Sequence, residues 1–572
     1  LYFVCFMEKR WVFKHVPPAL EVESLSKAIN INASLSSLLI QRGITTFEDA
    51  RDFFRPSLKN LHNPYLMKDM DKAVSRLKQA MVNGEKILIY GDYDVDGTTS
   101  VTLVYGFLSK HYSQLDFYIP DRYKEGYGIS KTGINWAKEN GFSLIISLDC
   151  GIKSVNEIAY ATELGIDFII CDHHKPGDAL PAACAVLDPK RADCAYPYKE
   201  LSGCGVGFKL LQALCSSLEL SDEELFTFLD LLAVSIASDI VPITGENRIL
   251  AYHGLKILNN APRPGMKALI DISGISKELT INSIVFGLAP RINAAGRIAH
   301  AKHAVQLLIA RDKDEADFLA EKINEKNKVR KDYDLNITDE AIRMIEEEIS
   351  SDSKSTVLFK NGWHKGVIGI VASRCIEKYY RPTIILTENN GMATGSARSV
   401  DGFDVYEAIA KCSDLLEQFG GHTYAAGLTM KLENIKAFQE RFEQVVSCDI
   451  REEDLIPKLD VDLKIELSQI NQKFYNILKQ LAPFGPGNMD PVFLSENVRD
   501  DGSARLLKDQ HLKLRVSQDG FNAIDAIGFN MAEPFYRISK GEPFNICYHI
   551  YENEFNGKKS LQLFIKDIKF VN

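Results

Sequence analysis

The sequence holds no Cys-x-x-Cys pair, although 11 cysteines are scattered over its 572 residues. That scatter excludes the stapled framework of a small secreted domain and fits reduced, buried thiols in a cytoplasmic protein. No apolar run approaches the roughly 20 residues that cross a bilayer as a helix. A Gly-x-x-x-x-Gly-Lys-Ser/Thr loop is missing too, so nothing points to ATP-driven unwinding. Net positive charge is also lacking: 67 Lys+Arg against 77 Asp+Glu leave −10 at pH 7. A generally basic nucleic-acid coat is thereby excluded, whereas a local basic surface is not. There is no internal repeat and no low-complexity tract. Leu1 to Phe6 is apolar but carries no basic leader and no cleavage site. It is therefore not read as a signal peptide, and Met7 reads as the more natural beginning.

What is present is ordinary globular material, 45% apolar and 25% charged, long enough for three or four domains. Within it, acids recur where strands should end. Lys86-Ile-Leu-Ile89 reads as a buried parallel strand running into Asp92-Tyr-Asp94-Val-Asp96-Gly97. On an extended backbone these three acids would point one way, with Gly97 turning the chain into a helix. A solvated acidic turn or a cap cluster would explain one such stretch. The pattern recurs, however, in Leu144 to Leu148 followed by Asp149, and in Phe168 to Cys171 followed by Asp172-His173-His174. Asp239 follows the apolar segment Phe226 to Ala237. Ligands of open parallel sheets bind beyond the carboxyl ends of the strands. Carboxylates gathered there repel one another unless cations neutralise them, and oxygen ligands mixed with imidazole suit Mn²⁺, Mg²⁺ or Zn²⁺. The chemistry this supports is two-metal phosphoester cleavage.

Along the chain, residues 7 to about 60 read as short helical pieces. Strand candidates at 86–90, 115–119, 144–148, 167–171 and 184–187 alternate with helices, the rhythm of a doubly wound α/β domain. Arg122 and the loop Glu125-Gly-Tyr127-Gly128 lie at another strand end. A lone arginine is usually a solvated charge, but beside bound phosphate a guanidinium grips bidentately. Gly203-Cys-Gly-Val-Gly207 has the wrong spacing for a dinucleotide fingerprint, and close helix packing is the better reading. From about 300 to 350 the text is charged and helical, as in a long, mostly solvated connecting helix. A second α/β lobe follows, with strands near 356–359, 383–387 and 392–396 and helices near 367–378 and 404–418. Its loops Gly395-Ser396-Ala-Arg398 and Gly420-Gly-His422 carry chemistry-bearing residues, although a satisfied structural histidine is the reading that His422 alone favours. After about 455, strands at 459–463, 492–496, 511–517, 523–529, 545–551 and 560–567 suggest an OB-like barrel. His511, Lys513 and Arg515 share one face there, with Phe521, Phe529 or Tyr536 available to stack on bases.

Asp92-Tyr-Asp-Val-Asp-Gly97, Asp149, Asp172-His-His174 and Asp239 resemble the four ordered motifs of the DHH phosphoesterase family. Gly287-Leu-Ala-Pro-Arg291-Ile-Asn-Ala-Ala-Gly-Arg297, Gly362-Trp-His-Lys-Gly366, Gly420-Gly-His422 and Pro483-Phe-Gly-Pro-Gly-Asn488 are similar to its single-strand exonuclease branch. The matches span roughly residues 85 to 495. The resemblance implies an α/β protein with two α/β lobes, a DHH domain and a DHH-associated domain, joined by a long helix and followed by an OB-like barrel. The expected boundaries are a helical extension over 1–66, the DHH domain over 67–300, a helical linker over 301–350, the associated domain over 351–452 and the barrel over 453–572.

The function it implies is a divalent-metal-dependent 5′→3′ exonuclease of single-stranded DNA, acting in repair and recombination. Two ions, Mn²⁺ or Mg²⁺, would be held by Asp92, Asp94, Asp149, His173 and Asp239, with Asp149 bridging. Asp96 and Asp172 would support them from behind, and His174 would join the catalytic set. Arg122, Tyr127, Arg291, Arg297, Ser396, Arg398 and His422 would bind substrate, Arg122 with Ser396 and Arg398 forming a terminal-phosphate pocket. Some relatives place a histidine just before the first aspartate, where this chain has Leu88 and Tyr90, so one ion would rely more on water. The expected partners are single-stranded DNA, a helicase and a single-strand-binding protein, for a monomer in the cytoplasm away from membranes. A DHH hydrolase of short oligoribonucleotides or cyclic dinucleotides is the alternative enzyme. A metal-free DNA-binding scaffold is the alternative of another class.

Overall fold

The computed structural model describes residues 7–520 and 523–571. Leu1 to Phe6 and Phe521 lie outside the described residues. The chain forms two compact units, neither contiguous. One comprises residues 52–330 with 482–489, and the other 1–51, 331–481 and 490–572. The chain starts with a short strand, β1 (Arg10–Phe13), where only helical pieces were expected.

The unit containing residues 52–330 is built on β2 (Lys86–Gly91), β3 (Leu115–Tyr118), β4 (Phe142–Leu148), β5 (Asp167–Cys171) and β6 (Ala185–Leu187). Their order is β3-β2-β4-β5-β6 and every pairing is parallel. From β2 the chain goes to one side for β3 and then to the other for β4, so the topological switch point lies at the carboxyl ends of β2 and β4. β2 and β4 are apolar without alternation because helices cover both faces of the sheet. One cover is the helix Val95–Leu108, nearly all buried, and another is the helix Gly203–Ser217. At Gly207 a Cβ would stand 3.1 Å from Leu148 and 3.2 Å from Val104, so this glycine lets helix and sheet close up as its sequence suggested. Each fully buried Leu, Ile or Val here contributes about 1.5–3 kcal/mol. The segment 482–489 belongs to this unit, where the Ile243 amide donates to Pro486 O (2.7 Å) and Arg248 to Ala482 O (3.0 Å).

The long helix Lys313–Glu348 is one piece and mostly exposed, as expected, but one narrow stripe of it is buried. Ala316, Ala320, Ile323, Asn327, Arg330, Asp334, Ile337, Ala341 and Ile345 are buried at spacings of three and four, one continuous stripe. Residues through Arg330 belong to the first unit and those from Lys331 to the second.

In the second unit, β7 (Thr356–Phe359), β8 (Thr383–Asn389), β9 (Met392–Arg398), β10 (Gln418–His422) and β11 (Ala425–Lys431) form a sheet ordered β10-β11-β9-β8-β7. The two glycine-bearing stretches expected as loops, 395–398 and 420–422, are therefore strands. β12 (Lys458–Val461) pairs with β1 in a separate parallel ribbon. The last sheet contains β13 (Leu463–Lys464), β14 (Phe493–Asp500), β15 (Arg505–Leu507), β16 (His511–Ser517), β17 (Ile524–Gly528), β18 (Phe544–Phe555) and β19 (Lys558–Phe570). It is a seven-stranded, curled, OB-like sheet in which β14 pairs with both β18 and β16. An irregularity between Ser495 and Val498 bends β14, whose far end pairs with β16 over only Arg499↔Ser517 and Asp500↔Val516. Asn556-Gly557, both at positive φ, turns β18 into β19.

Candidate metal centre

The register of the parallel sheet decides the geometry. Gly91 pairs with Leu148, Leu148 with Cys171, and Cys171 with Leu187. The next residue on each strand is an aspartate, so Asp92, Asp149, Asp172 and Asp188 leave the sheet in one row. All four are buried. Asp188 is absent from the sequence-based expectations, although it obeys the same rule of an acid directly after an apolar strand.

The acids after β2 do not point one way, because the extended backbone ends before them. Asp94 caps the helix Val95–Leu108, its Oδ1 accepting from the Gly97 amide (3.0 Å), and Asp96 lies in the first turn. The change of period from strand to helix carries Asp96 to the centre of the cluster. His173 Nε2 lies 3.2 Å from Asp149 Oδ1, 3.5 Å from Asp239 Oδ2 and 3.7 Å from Asp96 Oδ2. Among the described residues, two groups have the spacing of cation ligands: Asp96, His173 and Asp239, and Asp149, His173 and His174. Asp92 and Asp94 stand outside those two groups.

Charge is heavily frustrated here. Burial, then the Asp96, Asp94, Asp239 and Asp92 carboxylates, push the Asp149 carboxyl far above its usual range. Burial and Asp94 do the same to Asp92, and burial and Asp96 raise Asp94. Asp239 is pushed up to about 8 by burial and by Asp96 and Asp94. Burial pushes the His173 imidazole down, towards the neutral form that ligates metals. Asp92 Oδ2, Asp149 Oδ1 and both His173 ring nitrogens are buried without a hydrogen-bond partner. Buried polar atoms are rarely left so, and four in one cluster of carboxylates and imidazole fit divalent cations.

The remaining histidine is held differently. Asp172 Oδ1 accepts from the amides of His173 (2.7 Å) and His174 (3.1 Å) and from His174 Nδ1 (2.8 Å). Its Oδ2 accepts from the Ile152 amide (2.9 Å). Burial would raise the Asp172 carboxyl, but these bonds outweigh it and hold it well below the carboxylate range. Burial would likewise lower His174, yet Asp172 raises it to about 9. The Tyr127 hydroxyl lies 3.2 Å from His174 Nε2 and donates to Asp149 O (3.3 Å). Arg122 stacks over the Tyr93 ring at 4.8 Å and acts electrostatically on Asp92. Tyr123 donates to the backbone carbonyl of Arg297. Arg291 donates to Gly287 O, Asn324 Oδ1 and Ile272 O (2.5, 3.2 and 3.4 Å), which engages its guanidinium within the fold. Asp188 Oδ1 accepts from the Lys190 amide (2.7 Å), Oδ2 is buried without a partner, and burial lifts the group to about 7.

In the second unit, Ser396 and Arg398 share the half-buried face of β9, beside Gly369 of the helix Ile368–Tyr379, with Arg398 Nη1 donating to Ser396 Oγ (2.9 Å). Register sets Arg398 beside Ala425 of β11, and Ala425 beside His422 of β10. His422 is exposed, and its Nδ1 accepts from the Tyr424 amide (3.2 Å).

Family models match three stretches: the DHH family N-terminal domain over residues 86–236, the DHHA1 domain over 352–447 and the RecJ OB domain over 461–567. A doubly wound sheet with this acid row, followed by those two domains, defines a DHH-family phosphodiester hydrolase. The single-stranded-DNA-specific exonuclease RecJ of Bacillus subtilis is 42% identical over 562 residues, covering 98% of this chain and 70% of that one. The enzyme of the same name from Escherichia coli is 32% identical, covering 93% and 95%. The crystal structure of RecJ from Thermus thermophilus in complex with Mn²⁺ superposes with a TM-score of 0.84 at 26% identity, covering 98% of this chain and 80% of that one. The chain belongs to the RecJ family of single-stranded-DNA-specific exonucleases.

Proposed function

We propose that this protein removes nucleotides from the 5′ end of single-stranded DNA, using two divalent ions at the carboxyl ends of β2, β4 and β5. The observation that carries this reading is the row of buried, mutually repelling aspartates around His173. Asp92, Asp94, Asp149, His173 and Asp239 would hold the ions, with Asp149 shared because the Asp94, Asp239 and Asp92 carboxylates all act on it. Asp96, whose two oxygens accept from the Gly203 and Cys204 amides, would support them from behind. When bound, such an ion pair supplies an activated water and stabilises charge on the phosphorus oxygens.

The chain's own residues do the rest. Asp172 orients His174 and keeps its imidazolium form at neutral pH, a proton donor for a phosphate oxygen or the leaving oxygen. Tyr127 braces that ring through its hydroxyl. Arg122, resting on Tyr93, grips a backbone phosphate beside Asp92, and Arg297 adds to the basic side of the same unit. Ser396, Arg398 and His422 form an anion-binding face suited to a 5′-terminal phosphate. Arg291 supports the fold rather than the substrate. The OB-like sheet takes the rest of the strand.

Single strands must be supplied from duplex and protected, so a helicase and a single-strand-binding protein are the partners of this reading. One chain carries every residue of the acid cluster, which suits a monomer, and its DNA substrate suits the cytoplasm. The domain limits follow the sequence: 67–300 for the DHH domain, 351–452 for the associated domain and 453–572 for the OB-like domain. The test is hydrolysis of single strands labelled at the 5′ or the 3′ end, beside duplex, RNA and cyclic dinucleotide. Early release of labelled mononucleotide from the 5′ end alone is the expected result. Release from the 3′ end, or preference for the cyclic dinucleotide, would refute it.

A further inference from the structure

Asp239 is the one proposed ligand that follows a helix rather than a strand. It closes the helix Leu229–Ser238, its amide donating to Ser235 O (2.9 Å). Among the described residues its carboxylate accepts no hydrogen bond, and His173 Nε2, 3.5 Å away, makes none either. The backbone therefore sets where this carboxylate points. That backbone is strained at the next residue. Ile240 sits at φ 60°, a left-handed conformation that a β-branched residue rarely adopts, and its side chain is exposed. An exposed side chain cannot hold such a bend by packing, so the bend persists only where its neighbours fix it.

Part of what fixes it comes from far along the chain. Gly485-Pro-Gly-Asn488 is a tight turn, with Pro486 at its second position and Gly487, at φ 74°, at its third. The Asn488 amide donates to Gly485 O (2.8 Å) and the Gly485 amide to Asn488 O (3.0 Å). The Pro486 carbonyl is thereby free to accept from the Ile243 amide (2.7 Å). Both glycines let the loop after Asp239 lie on the turn. A Cβ on Gly485 would stand 2.6 Å from Ile243 Cγ1, and one on Gly487 would stand 2.9 Å from Thr244 Cγ2. The turn is itself held at its start. Asn488, buried, donates through Nδ2 to Pro483 O (2.8 Å), and Arg248 donates to Ala482 O (3.0 Å) and Pro483 O (3.4 Å). Arg248 belongs to the helix Gly245–Asn260, which begins directly after Thr244. One helix thus ends the Asp239 loop and grips the turn packed on it. The middle of the loop is held locally, Pro242 O accepting from Asn247 Nδ2 (3.0 Å) and the Tyr198 hydroxyl (3.2 Å).

We propose that the turn Gly485–Asn488 positions Asp239 for its cation, by holding the 240–244 loop against the strain at Ile240. Gly485, Pro486, Gly487 and Arg248 are positioning residues, and they act through Asp239. This gives the glycines of the Pro483–Asn488 stretch a use that neither the acid row nor the substrate face explains. They are small because the loop of a ligand rests on them. The flanks of the segment, up to Leu481 and from Asp490, belong to the other unit, so the chain of that unit frames a ligand of this one. The inference rests on Asp239 being a ligand, as proposed above.

The experiment is Mn²⁺ titration of the metal-free full chain, read as free Mn²⁺ by electron paramagnetic resonance, with thermal unfolding alongside. Wild type binds two ions, and Asp239→Ala loses one of them. Gly485→Ala weakens that same ion about 10–100-fold, the usual effect of removing an outer partner of a ligand, and leaves the other unchanged. Adding Ile243→Ala, which removes the atom that the new Cβ meets, restores the affinity. In the Asp239→Ala background, Gly485→Ala has no further effect on the remaining ion, because the turn acts only through Asp239. Normal binding of both ions by Gly485→Ala would overturn the proposal, even where its melting temperature falls. Equal weakening of both ions, or a loss that persists in the Asp239→Ala background, would also overturn it, since a general structural role gives that pattern. If Asp239→Ala binds both ions with wild-type affinity, the ligand assignment fails and the inference with it. Should Gly485→Ala not fold, Gly487→Ala carries the same test; should neither fold, the turn serves the fold and not the ligand.

Discussion

At the scale of single residues, Asp149 is the position on which the site turns. Its left-handed backbone makes alanine a poor probe, because alanine there adds strain of about 1–2 kcal/mol, whereas asparagine tolerates the conformation. Asp149→Asn is expected to keep the fold and lower hydrolysis by at least about 10²–10³-fold, the scale seen when one transition-state stabiliser is lost. Because it removes a charge from a repelling cluster, its metal-free form should melt no lower than wild type. Near-normal turnover with Mg²⁺ or Mn²⁺ would refute the shared-ligand role. The same frustration sets a pH dependence. Asp92, Asp149 and Asp239 have folded values above the unfolded range, and Asp239 reaches about 8. Between about pH 4 and 8 the folded, metal-free protein therefore binds more protons than the unfolded chain. Its stability should fall as pH rises, by up to about 1.4 kcal/mol per pH unit for each such group. His174, raised to about 9, acts in the same direction above its ordinary range, while His173, pushed down, opposes it below that range. Unfolding curves across this range should show the decline, and added Mn²⁺ should flatten it; a metal-free stability that climbs steadily to pH 8 would contradict it. The acids after strands were legible in the sequence as soon as strands were assigned. Asp188 was not, because β6 has three residues and Pro189 follows, which reads as a turn. The one-sided row expected of Asp92, Asp94 and Asp96 does not form, because strand spacing was carried past Gly91 into what is already a helix cap.

At the scale of elements, β9 and the outer face of the OB-like sheet carry the substrate argument. Arg398→Ala should reduce the preference for 5′-phosphorylated over 5′-hydroxyl strands more than it slows cleavage at saturation. Equal losses on both ends would rule out a phosphate-specific role. On the OB-like sheet, Arg515 is paired with Asp501 and Asp525, so the basic strip read from β16 is partly neutralised. The alternate residues of β16 face inward, with Leu512, Leu514 and Val516 buried. A row of rings crosses the other face: His511–Phe529 at 5.1 Å, Phe529–Phe564 at 5.4 Å and Phe564–Tyr551 at 6.0 Å. Stacking is worth roughly 1–3 kcal/mol per base, so Phe529→Ala should weaken binding of long single strands about 5–150-fold. Fluorescence anisotropy on long and very short strands checks this, and an equal loss on both would contradict it. Elements with an unbroken apolar run (β2, β4, β5) or a clean period (β16, the long helix) were legible. The start of β9 was legible as a strand, but its glycine-bearing end and β10 read as loops because glycine signals turns, and only their partners in the sheet make them strands.

At the scale of the whole molecule, the order of domains was legible and their chain composition was not. The ribbon of β1 with β12 ties the first residues of the chain to a strand nearly 450 positions later, a pairing with no local signal. Residues 482–489 fall within the 453–572 stretch read as the OB-like domain but belong to the unit of the acid cluster. Cutting the chain near 455 would therefore strip both units of part of their own structure, and point substitutions are the sounder probe of the OB-like sheet. Among the described residues no helix is long and apolar enough to cross a membrane. The central claim is that the strand-end acids exist to hold a pair of divalent ions. It is tested most directly by the stoichiometry of Mn²⁺ bound to the metal-free full chain at neutral pH, wild type beside Asp149→Asn. Two ions in the wild type, with both weakened together in the variant, is the expected result. No ion in the wild type, or two ions held with unchanged affinity in Asp149→Asn, would contradict it.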